Sequence, residues 1–136
     1  MVDTITAQKI LTNTIDSGEL DATVRSFPRT VSPSVNDAKR QSIHLGSLSP
    51  TVLRVAHTAR SSTNKKQRSL MQIQQQLTRL DALSNPVSVT AFDIAIQTNI
   101  PADVTQAEWL EAFSLLIGAL LAGDAALAKA LYNGEL

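Results

Sequence analysis

Residues 51–77 read TVLRVAHTARSSTNKKQRSLMQIQQQL, two alternating segments around a polar, basic connector. In Thr51–Arg60, Leu53, Val55 and Ala59 share one parity, while Arg54, Ala56, Thr58 and Arg60 share the other. In Arg68–Leu77, Met71, Ile73 and Leu77 alternate against Leu70, Gln72, Gln74 and Gln76. Successive side chains of a strand point to opposite faces, so parity alone assigns each residue to a face. The stretch predicts an antiparallel hairpin with one apolar and one polar side, its tip at Arg60–Gln67.

Outward from this hairpin the β pattern continues. Residues 78–86, TRLDALSNP, carry Pro86 and predict an exposed loop. Ser88–Thr98 predicts another strand, with Phe92, Ile94 and Ile96 on the apolar side and Ala91, Asp93, Ala95 and Gln97 on the polar side. Toward the N-terminus, Ser42–Leu48 is expected to be a short strand. In SFPRTVSPSVND, residues 26–37, Pro28 and Pro33 oppose ladder pairing and predict an extended surface loop. Ile5–Ile15 and Glu19–Phe27 flank Asp16-Ser17-Gly18, a turn signal, and predict an outer hairpin.

The C-terminal end switches period. Thr105-Gln106-Ala107-Glu108 has the form of a capping box, in which the Thr hydroxyl and the Glu carboxylate each satisfy an amide at the helix start. Beyond it Trp109, Phe113, Leu116, Ile117 and Leu120 fall on one helical stripe. Gly123-Asp124 predicts a break, followed by a second helix from Ala125 to about Tyr132, ended by Asn133-Gly134. The first helix is too apolar for one modest interface, because Leu110, Leu115 and Leu121 occupy neighbouring directions. Burying five large side chains contributes about 8–15 kcal/mol gross, and leaving the rest exposed would create an aggregation patch. Exchange of helices between two copies covers both the helices and the greasy side of the sheet. The stripe Trp109, Phe113, Leu116, Ile117 and Leu120 is therefore the expected dimer interface, the alternative being helices that fold back over their own sheet.

Composition bounds the function. At 136 residues, 43% hydrophobic and 18% charged, the chain can bury a core as one domain, 1–136. Cysteine is absent, which removes disulfides and thiol chemistry. The start, MVDTITAQ, has no basic segment followed by an apolar one, so no signal peptide is expected. The longest apolar run, Ala112–Gly123, is too short to span a bilayer. Net charge is zero, yet Ala38–Leu80 holds no Asp or Glu while containing Lys39, Arg40, Arg54, Arg60, Lys65, Lys66, Arg68 and Arg79. Such asymmetry is the footprint expected when one surface meets a polyanion, the alternative being a solvated, moderately basic hairpin. His44 and His57 are the only histidines, too few for an organised metal site. No phosphate loop or nucleophile constellation is present. No enzyme, cofactor or small-molecule substrate is expected.

The order of elements resembles the coat proteins of the leviviruses, single-stranded RNA bacteriophages. SFPRTVSPSVND is similar to the Asn-Pro-Arg-Gly-Val-Asn-Pro stretch that follows the second strand in one branch of that family. RSSTNKKQRSLMQIQ is similar to the family's RNA-facing hairpin, and AFDIAIQTNIPADVTQAEWLEAFSLLIGALLA to its last strand and helix. The resemblance implies an α+β fold: an N-terminal hairpin (5–27), a five-stranded antiparallel meander sheet (42–98, with the RNA-facing hairpin at 51–77), and two C-terminal helices (105–133) interlocked with those of a second copy. It further implies dimers that build an icosahedral virion shell in the bacterial cytoplasm, and a joint sheet that binds an RNA stem-loop, repressing replicase translation and marking the genome for packaging. By position, the implied RNA-binding residues are Arg54, Ala56, Thr58 and Arg60 on one strand and Arg68, Leu70, Gln72 and Gln74 on the next. Asp93 matches an acidic sheet residue of the family, flanked by Ala91 and Ala95, and Lys65 and Lys66 form the basic tip. Basic side chains would hold phosphates, while Gln, Thr and Asp would read base edges. The polar faces carry no aromatic residue for base stacking, so charge is expected to dominate RNA binding. The loop Thr78–Val87 corresponds to the one that clusters around shell axes and, lacking Cys, would pack there without disulfides. A dimeric nucleic-acid regulator that forms no shell is the alternative.

Overall fold

The computed structural model describes residues 4–11, 17–28, 37–63 and 65–135. The described chain forms two compact units, one of residues 1–7 and 25–102, the other of residues 8–24 and 103–136.

In the first unit, β1 (Thr4–Ala7) pairs antiparallel with β2 (Arg25–Pro28). A separate four-stranded antiparallel sheet runs in chain order through β3 (Asp37–Ser42), β4 (Thr51–Thr58), β5 (Lys66–Leu80) and β6 (Pro86–Pro101). A meander of this kind arises because each strand is joined to the next by a connection short enough to return beside it. The sheet differs from the expected five strands: four are described. β3 covers Asp37–Ser42 and not Ser42–Leu48, whose remaining residues form turns. DAKRQS has no large apolar residue, so no alternation marks it as a strand. The SFPRTVSPSVND loop lies mainly at residues 29–36, outside the described residues, but Asp37 at its end already belongs to β3.

The connection between β5 and β6 is also shorter than expected. β5 runs to Leu80 and β6 starts at Pro86, leaving only 81–85 as loop. Pro86 starts a strand, a position where its missing N–H removes little, and a register shift at Arg79/Leu80 absorbs the irregularity. Asp81 closes the turn: its carboxylate accepts from the amides of Leu83 and Asn85, each at 2.9 Å. Those hydrogen bonds, Asn85 foremost, hold its pKa below the ordinary aspartate value.

In the second unit the outer hairpin continues through an isolated bridge between Ile10 and Leu20, with Leu11 N donating to Glu19 O and Asp21 N to Lys9 O. Asp16 of its predicted turn lies outside the described residues. The C-terminal element α1 spans Gln106–Asn133. Its capping box is formed: Glu108 N donates to Thr105 Oγ1 at 3.3 Å, and Thr105 N donates to Glu108 Oε2 at 3.1 Å. Within α1 the backbone leaves helical values at Ala122–Ala125, with Gly123, Asp124 and Ala125 all left-handed, so helical stretches lie on either side of a break at the expected Gly123-Asp124. Asp124 and Ala125 there adopt a conformation that costs residues with a Cβ about 1–2 kcal/mol each. By length and mean hydropathy α1 could cross a membrane. The continuous turns before the break, residues 106–121, reach only about 24 Å, short of a bilayer's hydrocarbon core.

Burial is sparse. Among the described residues the buried apolar side chains are Phe27, Leu53 and Ala125. Buried polar residues are Arg40, Ser42, Thr51 and Gln75, and Thr51 Oγ1 donates to Gln75 Oε1. His44 lies in a turn after β3 and not in a strand; its Nδ1 meets Ser42 Oγ at 3.1 Å and its ring stands edge-on to Phe27. Burial depresses the His44 pKa, helped by the nearby Arg25 charge.

Candidate nucleic-acid interface

Strand register converts the sequence parity into two faces. Across β3–β4–β5–β6, one face carries four rows: Gln41, Val52, Gln74, Asp93; Lys39, Arg54, Gln72, Ala95; Asp37, Ala56, Leu70, Gln97; and, on three strands, Thr58, Arg68, Asn99. Ala91 extends the first side of this grid opposite Gln76. Strands lie about 4.8 Å apart and same-face neighbours about 6.8 Å, so the grid is a nearly continuous polar sheet surface. The structure thereby brings Arg54, Ala56, Thr58, Arg68, Leu70, Gln72, Gln74, Ala91, Asp93 and Ala95 onto one face. The opposite face holds the apolar rows Leu53, Ile73, Ile94 and Val55, Met71, Ile96.

Lys39 and Arg68 stand toward the edges of this face, while Arg54 lies within it, directly across from Gln72. Arg54 is not a bare cation: Nε donates to Asp37 Oδ1 at 3.0 Å and a terminal nitrogen to Oδ2 at 2.8 Å. The guanidinium holds the Asp37 carboxyl below its usual pKa, and the carboxylate raises that of Arg54 in return. Arg60 lies beyond the end of β4, where a terminal nitrogen donates to the carbonyls of Ile100 (3.1 Å) and Pro101 (3.0 Å). It clasps the end of β6 instead of standing on the grid. Lys65 is exposed in the connector, Lys66 opens β5, and Arg68 is exposed opposite Thr58 and Asn99. At the centre, Gln74 Nε2 donates to Gln72 Oε1 at 3.1 Å and Gln72 Nε2 donates to Asp93 Oδ2 at 2.7 Å. An open cleft of about 360 Å³ lies beside them, with Gln76, Ala91, Val52 and Pro50 among its other walls.

The sequence pattern misses three polar-face residues of β3, Asp37, Lys39 and Gln41, because it places the third strand too late in the chain. Arg40, beside Lys39 in sequence, points to the other face and is only 4% exposed. His57 Nδ1 meets Ser69 Oγ at 2.8 Å, on the face away from the grid.

The expected interface stripe sits on α1, where Trp109 and Phe113 stack at 5.0 Å. Trp109, Phe113, Ile117 and Leu120 are half-buried, while Leu116 is exposed.

No protein-family model matches the chain, and no curated protein matches it. Solved structures do. A chain of the virus-like particle of Beihai levi-like virus 21 superposes with a TM-score of 0.64 at 14% identity, covering 85% of this chain and 89% of that one. A chain of the Wenzhou levi-like virus 1 particle gives 0.59 at 15% identity, covering 82% and 91%. One from the bacteriophage AVE019 particle gives 0.54 at 10% identity, covering 75% and 81%. The fold of this chain is that of the chains that build levi-like virus particles, a levivirus-type coat-protein fold.

Proposed function

We propose that this chain is the shell subunit of a single-stranded RNA phage: it dimerises, assembles into a closed icosahedral shell and holds RNA against its polar sheet face. The observation that carries the reading is the amount of apolar surface a single copy leaves open. Ile94 is 68% exposed and Leu115 75%, and Met71, Phe92, Leu116 and Leu131 are exposed as well. A soluble monomer rarely leaves so much uncovered. The free side of β6, sixteen residues long, offers an unpaired ladder that a second copy can complete, and long bare strand edges are otherwise an aggregation hazard. Two β6 strands paired about a two-fold axis make one joint sheet. Helices exchanged between copies then cover its apolar side through Trp109, Phe113, Leu116, Ile117 and Leu120.

The opposite face suits RNA chemically. Lys39, Arg68 and the tip residues Lys65 and Lys66 hold phosphates, while central amides and Asp93 face base edges. A stem-loop seated there would couple shell assembly to translational repression and packaging. The fold shared with particle-forming chains supports the assembly half of the reading.

Electron microscopy of the expressed chain tests it: uniform particles containing RNA are expected. A discrete dimer at every concentration would instead support a nucleic-acid regulator without a shell. Replacing Lys65, Lys66 and Arg68 by Ala tests the RNA face. The salt slope of RNA binding is expected to fall by about 2, at about 0.7 for each phosphate left without its cation; an unchanged slope removes the hairpin from that surface.

A further inference from the structure

We infer that Gln72 and Asp93 form a guanine-reading site, one unpaired guanine being recognised along its Watson–Crick edge. The inference rests on the RNA-binding reading above and goes beyond it by naming the base. Gln74 Nε2 donates to Gln72 Oε1, which turns the Gln72 nitrogen toward Asp93, where it donates to Oδ2 at 2.7 Å. The order of groups is then Gln72 Nε2, Asp93 Oδ2, Asp93 Oδ1: donor, acceptor, acceptor. Gln72 keeps a second amide hydrogen, and a carboxylate oxygen that accepts one bond can accept another.

That order is the order of the pairing edge of cytosine, and its complement is guanine: O6 accepts, N1–H and N2–H donate. Uracil offers one N–H between two carbonyls, which a carboxylate repels. Adenine and cytosine each offer one amino donor beside a ring acceptor, so the second carboxylate oxygen would face a lone pair. The surroundings leave space for a base. Ala91 and Ala95 flank Asp93 on β6 and add little bulk above the sheet, and the adjoining cleft holds about 360 Å³ with Pro50, Val52 and Phe92 in its apolar lining. The carboxylate also repels phosphates, so the backbone is steered to Lys39 and Arg68 at the rim while a base turns inward.

The test uses the full chain and octauridylate RNAs carrying one central guanosine, inosine, adenosine or uridine, compared by fluorescence anisotropy at one salt concentration. Guanosine is expected to bind about tenfold or more tightly than uridine, the scale of one bidentate base interaction. Inosine, which lacks the N2 amino group, should lose most of that gain. Asp93→Asn should erase the preference for guanosine over uridine, and Gln72→Leu should reduce it. Equal binding of all four RNAs by the wild-type chain overturns the guanine site and leaves RNA binding standing. Absence of binding to every RNA overturns both readings.

Discussion

At the scale of single residues, the polar face is governed by which partner already holds each charge. Arg54 looks like a phosphate ligand in the sequence, but Asp37 engages it through two hydrogen bonds. Asp37→Ala is expected to free the guanidinium and steepen the salt slope of RNA binding by about 0.7, the increment for one more neutralised phosphate; titrating affinity against salt checks this. Asp81 gives the clearest pH effect. Its folded pKa is depressed by the amides it accepts, so its contribution is complete above the unfolded aspartate value and is lost as pH falls through the folded one. Amide exchange of Leu83 and Asn85 should accelerate only under acid, below the ordinary aspartate range. Asp81→Ala should show the fast exchange at neutral pH, whereas Asp81→Asn, which keeps an accepting oxygen, should not. Parity makes the face of Gln72 or Asp93 legible in advance. The Asp37 pair is not legible, since it joins residues 17 apart and the Asp37 strand has no alternating pattern.

At the scale of elements, turn and cap chemistry read well and strand ends do not. Thr105 and Glu108 form the cap their spacing announces, because a capping box needs only four consecutive residues. Thr105→Ala is expected to cost about 1 kcal/mol, measurable as a lower denaturation midpoint, with Thr105→Ser retaining most of the stability. The break at Ala122–Ala125 falls where Gly123-Asp124 marks it, and left-handed backbone at three successive residues redirects the chain there. Strand limits are less visible: Thr78–Leu80 and Pro86–Val87 extend β5 and β6 although their sequence has turn character. Cross-strand pairing outweighs weak local preference at such positions.

At the scale of the whole molecule, the uncovered apolar surface governs behaviour. Ile94 stands 68% exposed on the sheet, so a charge there is nearly harmless to a lone chain and ruinous if another copy covers it. Ile94→Asp is expected to keep the circular dichroism of the sheet while reducing particle yield to background, because it would bury an unpaired carboxylate. Phe113→Asp on α1 should likewise abolish soluble dimers. Particles of normal size from either variant would show that these surfaces are not interfaces.

The sequence by itself determined the alternation of β4, β5 and β6, the assignment of residues to a polar or an apolar face, and the capped helix with its break. Each of these is a local matter, fixed by side-chain period or by groups within a few residues. Only tertiary structure decided that β3 lies beside β4, the register that brings Gln72 diagonally within reach of Asp93, the pairing of Arg54 with Asp37 and the clasp of Arg60 on the end of β6. Those depend on which distant segments lie side by side, and a period along one strand carries no information about the strand beside it.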